Sequence, residues 1–186
     1  FATRFHARLS EVVSMGACGW VIDLRGNVGG NMWPMLLAIG PLLGDGLAGS
    51  FVGGDTVIRW GYTGGAAWYG SDTLGRVSSP LPPTRLPAIA VLTGPLTASS
   101  GEAIAIAFRG RPGARSFGQP TGGLSTSNQG FRLTDGSKLI LTTGIDADRT
   151  GRRYGAAVEP DELVPDSLAL DQSLAWLATQ RCDSAP

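Results

Sequence analysis

The sequence predicts a single α/β domain, and three observations predict it. Two short apolar runs, Gly19-Trp20-Val21-Ile22-Asp23-Leu24 and Ala88-Ile89-Ala90-Val91-Leu92-Thr93, have the length and character of buried strands. Each runs through a turn into a helical pattern, Met32 to Leu43 after the first and Ser100 to Arg109 after the second. No internal repeat and no linker interrupts the 186 residues, so strand-helix units around one core are the economical arrangement.

The elements follow in order. Phe5, Leu9, Val12 and Val13 have helical spacing between Phe1 and Met15, and Gly16 is placed to end that helix. The first strand is followed by Arg25-Gly26-Asn27-Val28-Gly29-Gly30-Asn31, a Gly-rich loop, and then by a helix with Pro34 in its first turn. Residues 44–87 change character: Gly, Thr, Ser and Pro dominate, with Trp60, Tyr62, Trp68 and Tyr69 among them. They read as a loop- and strand-rich insertion with one hairpin around Val57-Tyr62, and the aromatics read as core or hairpin packing, or as the lining of a peptide groove. Pro80 to Pro87 leads into the second strand. A further strand near Arg115-Phe117 precedes the loop Gly118 to Gly123. A hairpin then spans Gly130-Leu133, Asp135-Gly136 and Lys138-Thr143, Val158 to Asp161 turns, and Leu168 to Thr179 closes the chain as a helix.

Hydrophobic residues make up 42 % of the chain and charged residues 16 %, a composition that can build a core. Formal net charge is zero, so nothing in the balance asks for nucleic acid or an anionic membrane. No apolar run reaches the ~20 residues of a membrane span, and no signal-peptide pattern is present. Phe1 opens inside a helical pattern, which fits a piece of a longer protein with residues missing upstream. Cys18 reads as a thiol beside the first strand and Cys182 as a tail residue; a disulfide between them requires an exported protein. One histidine and two distant cysteines make no zinc site. Asp146 and Asp148 lack the rest of a calcium loop, and neither Gly-rich loop matches a nucleotide-binding pattern. Metal and cofactor are therefore both expected to be none, and the composition assigns no oligomeric state.

Ser99 carries the candidate chemistry. It sits at a sharp turn between a buried strand and a helix, in Thr97-Ala98-Ser99-Ser100-Gly101-Glu102. Its hydroxyl would stand near the positive end of the helix, and the Ser100 amide would face an anion beside it. The same residues also read as a plain capping box, with Ser99 as cap and Glu102 three positions on. Gly29 and Gly30 allow a backbone amide to approach a ligand closely, or simply make a tight turn. Asp23 and Arg25 suggest an internal ion pair that shapes that loop.

Taken together, these segments resemble the C-terminal processing (tail-specific) serine peptidases. Val21 to Gly30 is similar to their Asp-Leu-Arg-x-Asn-x-Gly-Gly signature, and Val91 to Glu102 to their nucleophile segment. Ser116-Phe117-Gly118, Leu133-Thr134-Asp135-Gly136-Ser137 and Val158-Glu159-Pro160-Asp161 resemble later landmarks, in order, between about residues 5 and 165. The resemblance implies a Clp protease/crotonase-like core of strand-helix units and hydrolysis of polypeptides through an acyl-enzyme on Ser99. It implies an oxyanion hole from the amides of Ser100 and Gly29 or Gly30, and an extracytoplasmic or secreted location. Glu102, Asp23, Arg25 and Gln119 are candidate supporting residues.

One departure bears on mechanism. The lysine-dependent branch has Phe-Gly-Lys, but here the residues are Phe117-Gly118-Gln119, and an amide cannot accept the serine proton. Lys138, the only lysine, reads as an exposed strand residue, and His6, the only histidine, as a surface helix residue or a base. Other branches pair the serine with a histidine upstream of the Asp-Leu-Arg strand. The resemblance therefore places the base before Phe1 and makes this stretch inactive alone. A catalytically inactive binding or scaffold protein is the rival reading, and an acyl hydrolase of non-peptide substrates a third.

Overall fold

A computed structural model describes residues 1–78 and 86–180. Among them the chain runs α1 (Ala2–Ser14), β1 (Gly19–Asp23), α2 (Met32–Leu43), β2 (Gly46–Gly53), β3 (Thr56–Thr63), β4 (Ala66–Tyr69) and β5 (Asp72–Arg76). It continues with β6 (Ala88–Thr93), α3 (Ser100–Ala107), β7 (Ala114–Gly118), β8 (Thr126–Arg132), β9 (Lys138–Asp148), β10 (Glu162–Leu163) and α4 (Asp166–Thr179). The α/β prediction holds, and the strands divide into two sheets. One is parallel, in the order β1-β6-β7-β10; the other is antiparallel, in the order β5-β4-β3-β2-β9-β8.

The parallel sheet is covered on both faces, which is why β6 is an unbroken apolar run. Its period of two decides which side chain goes where. Ile89 and Val91 join the larger core with Leu36, Leu43, Ile104 and Trp60. Ala90 and Leu92 point the other way and pack with Phe117, Val164 and Ala169, against Trp176 of α4. Helices α2 and α3 lie between the two sheets and touch strands of the antiparallel one.

Local signals explain the clear boundaries. Asn31 caps α2 by accepting from the Trp33 amide at 3.1 Å. Helix α1 ends in a Schellman arrangement, with Gly16 N–H donating to Val13 O and Ala17 N–H to Val12 O. Its buried stripe is Ala2, His6 and Leu9, and Val12 and Val13 are exposed.

Three expectations are corrected here. His6 is buried, not on the surface, and its Nε2–H donates to Leu37 O at 2.8 Å. The short strands expected after residue 44 are present as β2 to β5, but Val57-Tyr62 lies within the single strand β3 and is not itself a hairpin. Cys18 is disulfide-bonded and not a free thiol; Cys182 and most of Pro80 to Pro87 lie outside the described residues. The Val158-Asp161 turn is followed by β10, which no sequence pattern announced. That strand pairs with β7 through Glu162↔Phe117 and Leu163↔Gly118. Asp161 fastens the junction: its carboxylate accepts from Ser116 N and Ser116 Oγ, both at 2.8 Å, and from Arg109. Burial pushes the Asp161 carboxyl up, but these donors outweigh it and hold it below its ordinary value.

Gly118 ends β7 with φ 122°, and a Cβ there would stand 2.2 Å from the Thr93 carbonyl oxygen. Backbone cannot yield as a side-chain tip does. Gly118→Ala should therefore cost 2 kcal/mol or more, on the order of a strained φ plus a backbone clash. A chemical denaturation midpoint unchanged from wild type would show that β6 and β7 can separate freely at this point.

Candidate functional site

The site begins where β1 and β6 stop. Thr97, fully buried, accepts from Gly94 N–H at 3.0 Å and donates its hydroxyl to Leu24 O at 2.8 Å. One side chain thus ties the end of β6 to the end of β1. Two residues on, Ser99 has φ 53° and ψ −120°. Among the described residues it is the one non-glycine with a positive φ. Such a conformation costs about 1–3 kcal/mol and persists only where neighbours over-determine it.

Glu102 supplies that constraint. It is completely buried, and four donors converge on its two oxygens. Oε2 accepts from Ser99 N–H at 2.8 Å and Leu124 N–H at 2.8 Å. Oε1 accepts from Gly123 N–H at 2.9 Å and the Thr121 hydroxyl. The expected capping contact is present in the Ser99 N–H bond, and it belongs to a larger knot that binds the 121–124 loop to the start of α3.

The Gly-rich loop closes over Ser99 from the other side. Asn27 O accepts from Ala98 N–H at 3.0 Å, and Gly30 O accepts from the Ser100 hydroxyl at 2.5 Å. A Cβ on Gly29 (φ 107°) would lie 2.9 Å from Ser99 Cβ and 3.0 Å from Ala98 O. Only glycine lets the loop come this near. Gly29 N–H already donates to Asn27 Oδ1 at 3.1 Å. The Gly30 and Ser100 amides have no acceptor among the described residues. Arg25 shapes the loop from below with a two-pronged contact to Asp23, Nη2 to Oδ2 at 2.6 Å and Nε to Oδ1 at 3.0 Å. It also reaches Asp166 Oδ1 at 3.0 Å, so the pair anchors α4 at the surface and is not internal. Arg25 holds the Asp23 carboxyl below its ordinary value despite partial burial.

Ser99 and Ser100 open onto a cavity of about 640 Å³. Phe51, Ile58, Tyr69 and Trp33 form one wall, with Trp33 and Phe51 ring centroids 5.6 and 6.0 Å from that of Tyr69. Thr126, Ser127 and Asn128 of β8 also line it. Asp146 of β9, only 1 % exposed, also lines the cavity. Its Oδ1 has no hydrogen-bond partner. Burial first, and the Glu102 carboxylate second, push Asp146 up to about 7.

The other candidates lie elsewhere. Gln119 Nε2 donates to Val164 O at 2.6 Å, fastening the strand β10 end instead of facing Ser99. Lys138 is exposed at the start of β9. Trp60 and Tyr62 are core residues, Trp68 is partly buried, and Tyr69 alone of that group reaches the cavity. Asp148 is occupied by Thr150 and Tyr154. Sequence pattern offers Asp146 only as part of an incomplete calcium loop; the readable signal is a carboxylate at an inward position of β9, opposite Phe51 of β2.

Residues 1–164 match the profile of peptidase family S41. A nisin-resistance protein of Lactococcus lactis subsp. lactis is 32 % identical over 170 residues, 87 % of this chain and 50 % of that protein. The chain thus spans about half the length of this curated relative. A lipoprotein from Streptococcus agalactiae superposes with a TM-score of 0.72 at 29 % identity, over 96 % of this chain and 61 % of that one. The photosystem II D1 C-terminal processing protease superposes with a TM-score of 0.64 at 22 % identity, over 97 % and 43 %, a likeness of fold.

Two variants probe the buried carboxylates. Glu102→Gln replaces two acceptor oxygens by one and turns an NH₂ toward backbone donors; it should destabilise by about 2–4 kcal/mol. Asp146→Asn should behave in the opposite sense and depend on pH. The folded state holds the Asp146 proton up to about 7, far above its ordinary value. Wild type therefore loses stability as pH rises from about 4 to 7, and the variant does not. Relative to wild type the variant should gain at most about 4 kcal/mol over the whole window, of which about 2–3 kcal/mol falls between pH 5 and pH 8. Urea melts of both proteins at pH 5 and pH 8 read the difference directly.

Proposed function

The chain belongs to peptidase family S41, and from that premise we propose that it holds the nucleophile and oxyanion hole of a serine peptidase acting on polypeptides. The observation that carries the reading is the strained Ser99, held by Glu102 against the Gly29-Gly30 loop at the mouth of a large cavity. A backbone stored in that conformation is worth its cost where a side chain must be presented to a substrate.

In the proposed reaction Ser99 Oγ attacks the scissile carbonyl carbon as its proton passes to a general base. The carbonyl oxygen becomes an oxyanion and is received by the Ser100 and Gly30 amides. Gly30 is preferred to Gly29, whose N–H is already spent on Asn27. The tetrahedral intermediate collapses, the C–N bond breaks, and the base returns its proton to the leaving amine. Water then hydrolyses the acyl-enzyme by the same steps in reverse order.

The base is a histidine outside these 186 residues. His6 does not serve, because its Nε2–H is donated to Leu37 O and neither His6 nor Lys138 lines the cavity. That absence also favours a second reading, a peptidase-like scaffold without catalysis. An extracytoplasmic location is supported by the relative named for nisin resistance, the lipoprotein neighbour and the disulfide-bonded Cys18. No helix among the described residues is long and apolar enough to cross a membrane.

Fluorophosphonate labelling of the full-length protein tests the proposal. A covalent adduct on Ser99 is expected, lost in Ser99→Ala and reduced at least 100-fold in Gly29→Ala. No adduct on wild type supports the scaffold instead. Peptide hydrolysis by the 186 residues alone should be at background; robust turnover that survives replacement of His6 would remove the external histidine.

A further inference from the structure

Asp146 has no part in the scheme above, yet it is the most costly side chain in the cavity. A carboxylate removed from water loses several kcal/mol of hydration unless donors replace it. The neighbouring carboxylates show how this fold meets that cost. Glu102 has four donors, and Asp148 accepts from Thr150 N–H and Oγ1, Arg152 N–H and the Tyr154 hydroxyl. Asp146 has none of these: Oδ1 is unpartnered, and no donor among the described residues reaches its side chain.

The surroundings indicate what would pair with it. Among the described residues no lysine, arginine or histidine lines the cavity, and Tyr69 is the one other ionisable side chain there. Asp146 stands directly across from Phe51 in the β2–β9 register. Phe51, Tyr69 and Trp33 form a contiguous aromatic wall leading away from it. Glu102 lies close enough to act on Asp146 electrostatically and adds to the negative field, its own oxygens being occupied. An aromatic slot closed by a desolvated carboxylate suits a long apolar stem that ends in a cation.

We propose that Asp146 is the floor of a subsite that receives the side chain of a lysine or arginine in the peptide substrate. The stem lies along Phe51, Tyr69 and Trp33, and the ammonium or guanidinium supplies the donors that Asp146 lacks. This rests on the peptidase reading of the cavity and names the substrate class. Ser99 and Ser100 line the same cavity, so the basic residue sits within a few positions of the scissile bond.

Binding separates the subsite from the chemistry. Full-length Ser99→Ala protein is titrated with fluorescein-labelled, end-blocked hexapeptides, each carrying lysine, arginine, norleucine or glutamine at one position in turn. At one position lysine or arginine should bind at least tenfold tighter than norleucine, and adding Asp146→Asn should bring that ratio below twofold. Equal binding of all four residues at every position overturns the proposal, as does a preference that survives Asp146→Asn. A second measurement needs no further variant. The lysine-to-norleucine ratio should grow from pH 5.5 to 8.5 as Asp146 loses its proton, while the ammonium stays charged. Among the described residues the ionisable groups at Asp146 are Glu102 from α3 and Tyr69 across the cavity; Asp148, two positions along β9, is turned to Thr150, Arg152 and Tyr154, and β2 and β8 contribute none to the lining. A flat ratio overturns the proposal. If wild type fails to label with fluorophosphonate but the Asp146-dependent preference is present, the peptidase reading falls and the subsite stands. Labelling without a basic preference removes the subsite alone.

Discussion

The four hydrogen bonds to Glu102 are the constraint on which the rest of the site depends. A buried carboxylate is tolerable only when its oxygens are fully occupied. Here the donors come from two segments: the strained Ser99 amide on one side, and the Thr121 hydroxyl with the Gly123 and Leu124 amides on the other. The energy that would be lost on leaving Glu102 unpaired is larger than the cost of the Ser99 backbone. The same bonds therefore store the strain and close the 121–124 loop. Thr121 carries the connection one step further, since its hydroxyl oxygen also accepts from Val158 N–H at 2.8 Å.

The sheets supply the rigid frame for that knot. Parallel strands β1 and β6 end side by side, with Asp23 paired to Leu92 in register. Both of the loops that meet at Ser99 leave from this edge. Thr97 joins them through Leu24 O, and the Ser100 hydroxyl joins them again through Gly30 O. The positions of the Gly30 and Ser100 amides are thus set by strand ends, not by free loops, which is what the proposed oxyanion site needs if its donors are to be in place before a substrate arrives.

Much of this was legible in the sequence, for physical reasons that can be named. Helix α2 has the predicted limits because Asn31 caps it and Gly44 follows it. Strand β6 was plain because both of its faces are buried. The meander of residues 46–76 was not, because its strands carry glycine where apolar residues would signal burial. A Cβ on Gly49 would lie 2.5 Å from the Trp60 ring, so the large side chain occupies the space of its neighbour and the alternation disappears. His6 was misplaced for a different reason: the buried stripe runs through Ala2, His6 and Leu9, one step round from the Phe5-Leu9-Val12-Val13 stripe that hydrophobicity alone selects, and the two share only Leu9. Of the candidate residues, Ser99, Ser100, Gly29, Gly30 and Glu102 are brought together, Asp23 and Arg25 brace the loop, and Gln119 faces away. Sequence spacing could order the landmarks but could not show that Gly29 spends its amide on Asn27.

Two carboxylates near the start of α3 make the last contrast. Both are buried and both face the same region, so desolvation alone would treat them alike. Glu102 has every acceptor position filled from within the chain. Asp146, beside the aromatic wall, has no donor among the described residues, and burial first and the Glu102 charge second hold its proton up to about 7. A fold that fills one carboxylate so completely could have paired the other with a lysine or arginine on β2 or β8. Phe51 and the neutral Thr126 to Asn128 stand there instead, and among the described residues no cation lines the cavity. Internal packing therefore explains Glu102 and leaves Asp146 unexplained, and that difference in donors is what directs its chemistry outward, to a positively charged group entering the cavity.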